Sequence, residues 1–381
     1  MSVTTQNAQL QKKRMFGLDV LRAVAILGVL ISHSRYVIPA RLENIMIVIR
    51  GGTLGVELFF VLSGFLIGTI LLSLLPQLNS FLTLQHFWKR RWLRTLPNYY
   101  LFLLINLILY LIETGKLPNL FPYLLFLQNW IWPQSSFYSE SWSLAVEEWF
   151  YLLFPLSIFL LARIMKTNKK FLIAAFLFLI IPSVLRVVWA SSGHSNWDAD
   201  FRKIVWLRLD ALMYGVIAAW VKKEYSFIWM RARNILMITG VCILLTIQTY
   251  LNNNVTNGNF GAETFLFSLT SLAGAFLLPF CDQWQISREN VITWGFRSLA
   301  LWSYSLYLIN LPVVLLINRI TGGPETLAGL RIIPAWCGFF FVSIVISAFN
   351  YRYFEKPMTD LRDKISIIGN KVEVSAINPP K

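Results

Sequence analysis

Of the chain's 381 residues, 56% are hydrophobic and 15% aromatic, but only 14% are charged, against about 25% charged in a soluble domain. That composition excludes an ordinary soluble domain and predicts an all-α, polytopic bundle of transmembrane helices, because several apolar runs approach the length that crosses a bilayer core. The net charge of +15 therefore reads as basic loops on the inner face of a membrane and not as a nucleic-acid surface.

The N-terminal residues 1–16 read as a cytoplasmic tail. The apolar run that follows Lys12, Lys13 and Arg14 is too long for a signal peptide and has no small-residue cleavage pattern, so it is expected to be a first span. About ten spans are predicted, at roughly 17–37, 54–76, 97–113, 141–163, 171–190, 205–221, 234–251, 262–281, 298–318 and 332–351. Residues 118–132 are apolar but short and broken by Pro118 and Pro122, which suits an interfacial or re-entrant segment. With both termini placed in the cytoplasm, Lys and Arg favour the inner side by about three to one. No repeat is visible. Residues 17–357 read as one transmembrane domain, and 358–381 as a short cytoplasmic tail. Cys242, Cys281 and Cys337 are far apart, without CxxC or Cys/His spacing, so no metal site is expected.

Polar residues inside these spans are the candidates for chemistry, since a charge in a membrane costs at least a few kcal/mol and normally faces protein or a water-filled cavity. In the first span, Arg22 and His33 are eleven residues apart. At about 100° and 1.5 Å per residue they share one helical face, roughly 16 Å apart. A snorkelling arginine and a satisfied histidine would be the bland account. In the second span Glu57 enters from the outer side, and Ser63 with Gly64 permits close helix approach. The loop at 87–100 carries Arg90, Arg91 and Arg94 among aromatics. That cluster suits a positive-inside anchor and equally the phosphates of a nucleotide-like donor. Glu147 and Glu148 enter the fourth span from the outer side, where two carboxylates are costly unless paired or functional. Arg208 and Asp210 open the sixth span as an ion pair, and Asn310 lies within the ninth.

Taken together, these stretches resemble acyltransferase family three, the integral-membrane acyltransferases that decorate bacterial surface glycans, lipid-linked sugars and some secreted metabolites. The resemblance runs from about residue 16 to 357. It rests on Arg-x10-His, G-V-E-L-F-F-V-L-S-G-F (55–65), R-R-x-x-R-x-x-P (90–97), W-S-L-x-x-E-x-x-F-Y (142–151), R-L-D-A (208–211) and F-E-K-P (354–357), in the family's order. It implies a bacterial inner-membrane enzyme with acetyl-CoA or another acyl-CoA as donor, and a hydroxyl of a surface or lipid-linked glycan as acceptor. Neither a metal nor nucleic acid is expected, the lipid bilayer is the surroundings, and a homo-oligomer stays open. The resemblance further implies that Arg22 and His33 are essential and that Arg90, Arg91 and Arg94 lie near the donor. Where relatives often carry a histidine in the ninth span, this chain has Asn310, which cannot exchange protons near neutral pH but can orient a ligand. Many relatives also append an SGNH-type domain; a stand-alone form is expected here.

The mechanism expected from resemblance and topology brings the thioester past Arg22 towards His33, the one histidine in a predicted span. His33 would act as general base on the acceptor hydroxyl or as a transient acyl carrier. Glu147 is assigned with them to catalysis; Glu57, Glu148, Asn310, Arg208 and Asp210 are substrate-side candidates. The alternatives are an acyltransferase for a small metabolite and, in another class, a secondary transporter with a polar path.

Overall fold

The computed structural model describes residues 15–40, 42, 51–165, 169–253, 256–327 and 329–361. The expected tails, 1–16 and 358–381, lie outside the described residues apart from 15–16 and 358–361. Every regular element among the described residues is helical. The long ones are α1 (Phe16–Ser34), α2 (Gly52–Leu74), α3 (Phe81–Thr114), α4 (Ser141–Ile164), α5 (Lys170–Ser191), α6 (Asp210–Glu224), α7 (Arg233–Asn252), α8 (Leu266–Gln283), α9 (Val291–Thr321) and α10 (Ile332–Asn350). Among the described residues, nine helices are long and apolar enough to cross a membrane. The chain is a multi-pass membrane protein. The remaining predicted span is α6, whose 15 residues rise about 22 Å, short of a bilayer core of about 30 Å.

The helices deviate most from the predicted spans at α3. The arginine stretch, expected as a loop, is the first half of a 34-residue helix, roughly 50 Å long. Pro97 lies inside it without ending it. Neighbouring groups hold the backbone there, with the Tyr304 hydroxyl donating to Thr95 O (2.9 Å) and the Thr95 hydroxyl to Arg91 O (3.2 Å). The segment 118–132 does not cross. It contains a four-residue helix, Phe121–Leu124, and its buried Asn129 amide donates to Trp142 O (3.0 Å) and Lys203 O (2.5 Å). Irregular backbone at this depth is tolerated because protein, not lipid, satisfies it.

Backbone contact sets how α2 meets α6. A Cβ on Gly64 would lie 1.8 Å from Leu212 O, and one on Gly215 2.0 Å from Val61 O. Only a residue without a side chain allows that approach, the small-residue packing anticipated for Gly64. Gly64→Ala is expected to lower stability by about 1–3 kcal/mol, because the helices must separate. Thermal unfolding in detergent checks this, and an unchanged midpoint contradicts it.

Two buried ion pairs tie this unit to its neighbours, and they correct the expected Arg208–Asp210 pair. Asp210 instead holds Arg186 of α5 through two bonds of 2.9 and 2.8 Å. That guanidinium also donates to Thr264 O, Leu207 O and Ser268 Oγ. Arg208 reaches Glu57 of α2 at 2.5 Å, with Ser271 Oγ donating to the other carboxylate oxygen at 3.0 Å. Arg208 also stacks 4.1 Å from the Phe267 ring centroid. All four charged groups are at most 2% exposed. Neighbours in sequence point to opposite sides of a turn, so Arg208 and Asp210 each find a partner on another helix.

Candidate active site

The shared face of Arg22 and His33 looks into the bundle, but the two side chains open into different cavities. Arg22 lines one of about 110 Å³, together with Ser63 of α2, Arg91 and Arg94 of α3, and Glu147 and Tyr151 of α4. His33 lines another, of about 880 Å³, with a more polar wall that includes Glu140, Trp142, Arg202 and Lys203. The roughly 16 Å between the two residues, expected from helix rise, therefore separates two chambers within one helix face.

Around Arg22, Asp19 sits one turn back with its carboxylate 3.8 Å away. The Tyr151 hydroxyl donates to Glu147 Oε2 at 3.1 Å and shares a hydrogen bond with Ser63 Oγ. The Arg91 guanidinium lies 5.0 Å above the Tyr151 ring. Glu147, expected to enter from the outer side, thus lines the arginine chamber and not the cavity of His33. It is six residues into α4, about 9 Å from the helix start, so entry from one face of the membrane does not decide which cavity it meets. The buried Arg91 and the exposed Arg94, three apart, both line the chamber, and the exposed Arg90 does not. This chamber has the right groups for an anionic, phosphate-bearing ligand: guanidinium donors together with a carboxylate and hydroxyls in its lining.

The F-E-K-P motif explains how the arginine helix is held. Glu355 accepts from Ser305 Oγ (2.6 Å) on α9 and Asn98 Nδ2 (3.0 Å) on α3. The Asn350 amide at the end of α10 donates to Asn98 Oδ1 and Ser305 Oγ, both at 2.9 Å. Three helices are pinned one turn beyond Arg94.

On the other side, His33 Nδ1 is hydrogen-bonded to Asn310 Oδ1. The Asn310 amide nitrogen donates to Leu306 O (2.9 Å) and Tyr307 O (2.6 Å). With both amide hydrogens engaged, Oδ1 can only accept, so this network assigns the proton of the neutral imidazole to Nδ1 and leaves the Nε2 lone pair free. Asn310 is fully buried and lines neither cavity. Its side chain is placed against His33.

The wide chamber holds residues that were not singled out from the sequence. Asp198 bonds Arg202 (2.6 Å) and Lys203 (2.5 Å) in the connection before α6. Partial burial works against its charged form, but the two cations hold its carboxyl well below the usual carboxylate range. Arg202 stacks 4.7 Å from the Trp142 ring centroid. Glu140 is 3% exposed, and its Oε1 has no hydrogen-bond partner among the described residues. Aromatic faces beside charged and hydroxyl groups make a surface suited to a polyhydroxylated ligand. Glu140 stands in S-E-S-W and Tyr307 three residues before Asn310; helical spacing of that tyrosine from Asn310 was the one readable signal. Glu57, Arg208 and Asp210 line neither chamber, being consumed by the ion pairs above, and Glu148 is buried outside both linings. No group of three or more His, Cys, Asp or Glu suited to a metal occurs among the described residues.

Comparison with known proteins matches this arrangement to a family. A model described as an acyltransferase domain matches residues 15–352. The O-acetyltransferase OatA of Staphylococcus aureus, from strains NCTC 8325 / PS 47, COL and MRSA252, is 27% identical over 373 residues, which is 90% of this chain. The match covers 57% of those relatives, so the chain spans little more than half of their length. No solved structure matches. With a match that takes in both chambers and every helix that lines them, the chain belongs to acyltransferase family three, as its motif order led us to expect.

Proposed function

We propose that the protein is a membrane O-acyltransferase that moves an acyl group, acetyl in the simplest case, from cytosolic acyl-CoA to a hydroxyl of a surface or lipid-linked glycan. The single observation that carries this reading is the division of one helix face between an arginine-lined chamber and a polar chamber holding a base. In this reading both termini are cytoplasmic, the membrane is the bacterial inner membrane, and the Arg22 chamber faces the cytosol. Arg91 and Arg94 bind the donor's phosphates, with Arg90 adding attraction from the exposed face of the same helix. Arg22 positions the donor arm as the thioester passes it towards His33. The acceptor enters beside Trp142 and Arg202. His33 Nε2 takes the hydroxyl proton as its oxygen bonds to the acyl carbon. The C–S bond breaks, and the proton leaves on the coenzyme A thiol.

The test uses sealed, oriented vesicles with acetyl-labelled coenzyme A on the face of the Arg22 chamber and glycan extract on the other. Label is expected on the glycan. Donor left unconsumed with every acceptor overturns the reading in favour of transport, and label on a small metabolite alone overturns the glycan acceptor. In the same assay Arg91→Ala and Arg94→Ala are each expected to raise the KM for the donor by about tenfold, the loss of one charge-assisted contact. A KM unchanged in both would remove the phosphate role from α3.

A further inference from the structure

The wall between the two chambers is thin. Val56 of α2 and Tyr307 of α9 are the residues that line both cavities. Tyr307 is 7% exposed, with its ring edge-on to Phe59 at 6.5 Å. Its hydroxyl is paired with Ser143 Oγ at 2.7 Å and donates to Glu140 O at 3.1 Å, both next to the start of α4. Its own carbonyl accepts the Asn310 amide at 2.6 Å, the amide that fixes His33. A ring held in place by two hydrogen bonds can swing aside. A backbone anchored to the base partner cannot leave without disturbing the base.

We propose that Tyr307, with Val56, is the septum that decides between transfer to the acceptor and loss of the acyl group to water; the proposal rests on the function proposed above. The reason for such a barrier is competition. The His33 chamber, at about 880 Å³, has room for a few tens of waters at about 30 Å³ each. His33 would activate any of them as readily as an acceptor hydroxyl. In hydrolysis the C–S bond of the thioester breaks and a C–O bond to water forms. Acetate and the free thiol are the products, with one net proton released. The closed ring keeps the thioester in the arginine chamber and the water in the other. Transfer then requires the acceptor to fill the space beside His33 when the ring moves. Tyr307 is thus a specificity residue for transfer over hydrolysis.

The experiment follows free thiol released from acetyl-CoA by the purified full chain, without acceptor and then with glycan extract. Tyr307→Ala is expected to raise acceptor-free release by about tenfold, and Val56→Ala by a few-fold, as water gains access to the thioester. Tyr307→Phe keeps the ring but removes the two hydrogen bonds that hold it, and is expected to raise acceptor-free release by less than Tyr307→Ala does. A residue with a merely structural role would lower release in both conditions, so a rise without acceptor is the signature. Acceptor-free release in Tyr307→Ala and Val56→Ala no faster than wild type overturns the septum. Should Tyr307→Ala fail to fold, Val56→Ala, which removes only two methyl groups, decides alone. A wild type that releases no thiol even with acceptor overturns the proposed function itself, a result distinct from wild-type turnover with unchanged variants.

Discussion

Replacing His33 with alanine is expected to lower acyl transfer by about 10²–10⁴-fold, the range for loss of a positioned general base. Its Nε2 is the nitrogen left free by the Asn310 hydrogen bond, and it belongs to the chamber we assign to the acceptor. The donor arginines lie in the other chamber, so KM for acyl-CoA is expected to change little while kcat falls. Asn310→Leu should give a smaller loss, because the imidazole remains but its tautomer and orientation are no longer imposed. The measurement is transfer of label in oriented vesicles, with retained folding verified by the unfolding midpoint. His33→Ala that transfers at the wild-type rate refutes the role of the imidazole, whether as base or as acyl carrier.

Glu57→Ala is expected to have a comparably large effect of a different kind, a loss of about 3–5 kcal/mol of stability, because it strands the buried Arg208 guanidinium without its counter-charge. Arg208 is fully buried, and its Nε and Nη1 already have no partner among the described residues, so the Glu57 contact carries most of its neutralisation. Replacing one partner of such a pair costs more than replacing both with apolar groups, so Glu57→Leu combined with Arg208→Met should recover part of the loss. Unfolding midpoints of the two variants make the comparison. If Glu57→Ala unfolds like wild type but no longer transfers label, Glu57 is a substrate-side acid and the structural account of the pair is wrong.

Much of the architecture was legible in the sequence because the information involved is local. A run of apolar residues specifies a span by its length, and Arg22 with His33 specify a common face by their spacing alone. Pro118 and Pro122 mark a segment that does not cross, as found. Local periodicity does not tell which helix a face meets. Asn310 reaches His33 from 277 residues away; the sequence supplied a polar residue in the ninth span and a missing histidine, and only packing turned it into the group that sets the tautomer. Arg91 and Arg94 line the chamber and Arg90 does not, a difference that the packing of α3 decides. Glu147 lies in the chamber of Arg22 because α4 packs beside α2 and α3, and no count of residues from its end could say so. The ion pairs make the same point: Arg208 and Asp210, two residues apart, part to Glu57 and Arg186. The amino-acid sequence by itself determined the class, most of the spans and the face that Arg22 and His33 share, since these follow from hydropathy and helical period. The tertiary structure decided the partners, the two chambers and the wall between them. Inside a bilayer, helix association depends on close packing and polar pairing between distant segments, and neither has a period that can be read along the chain.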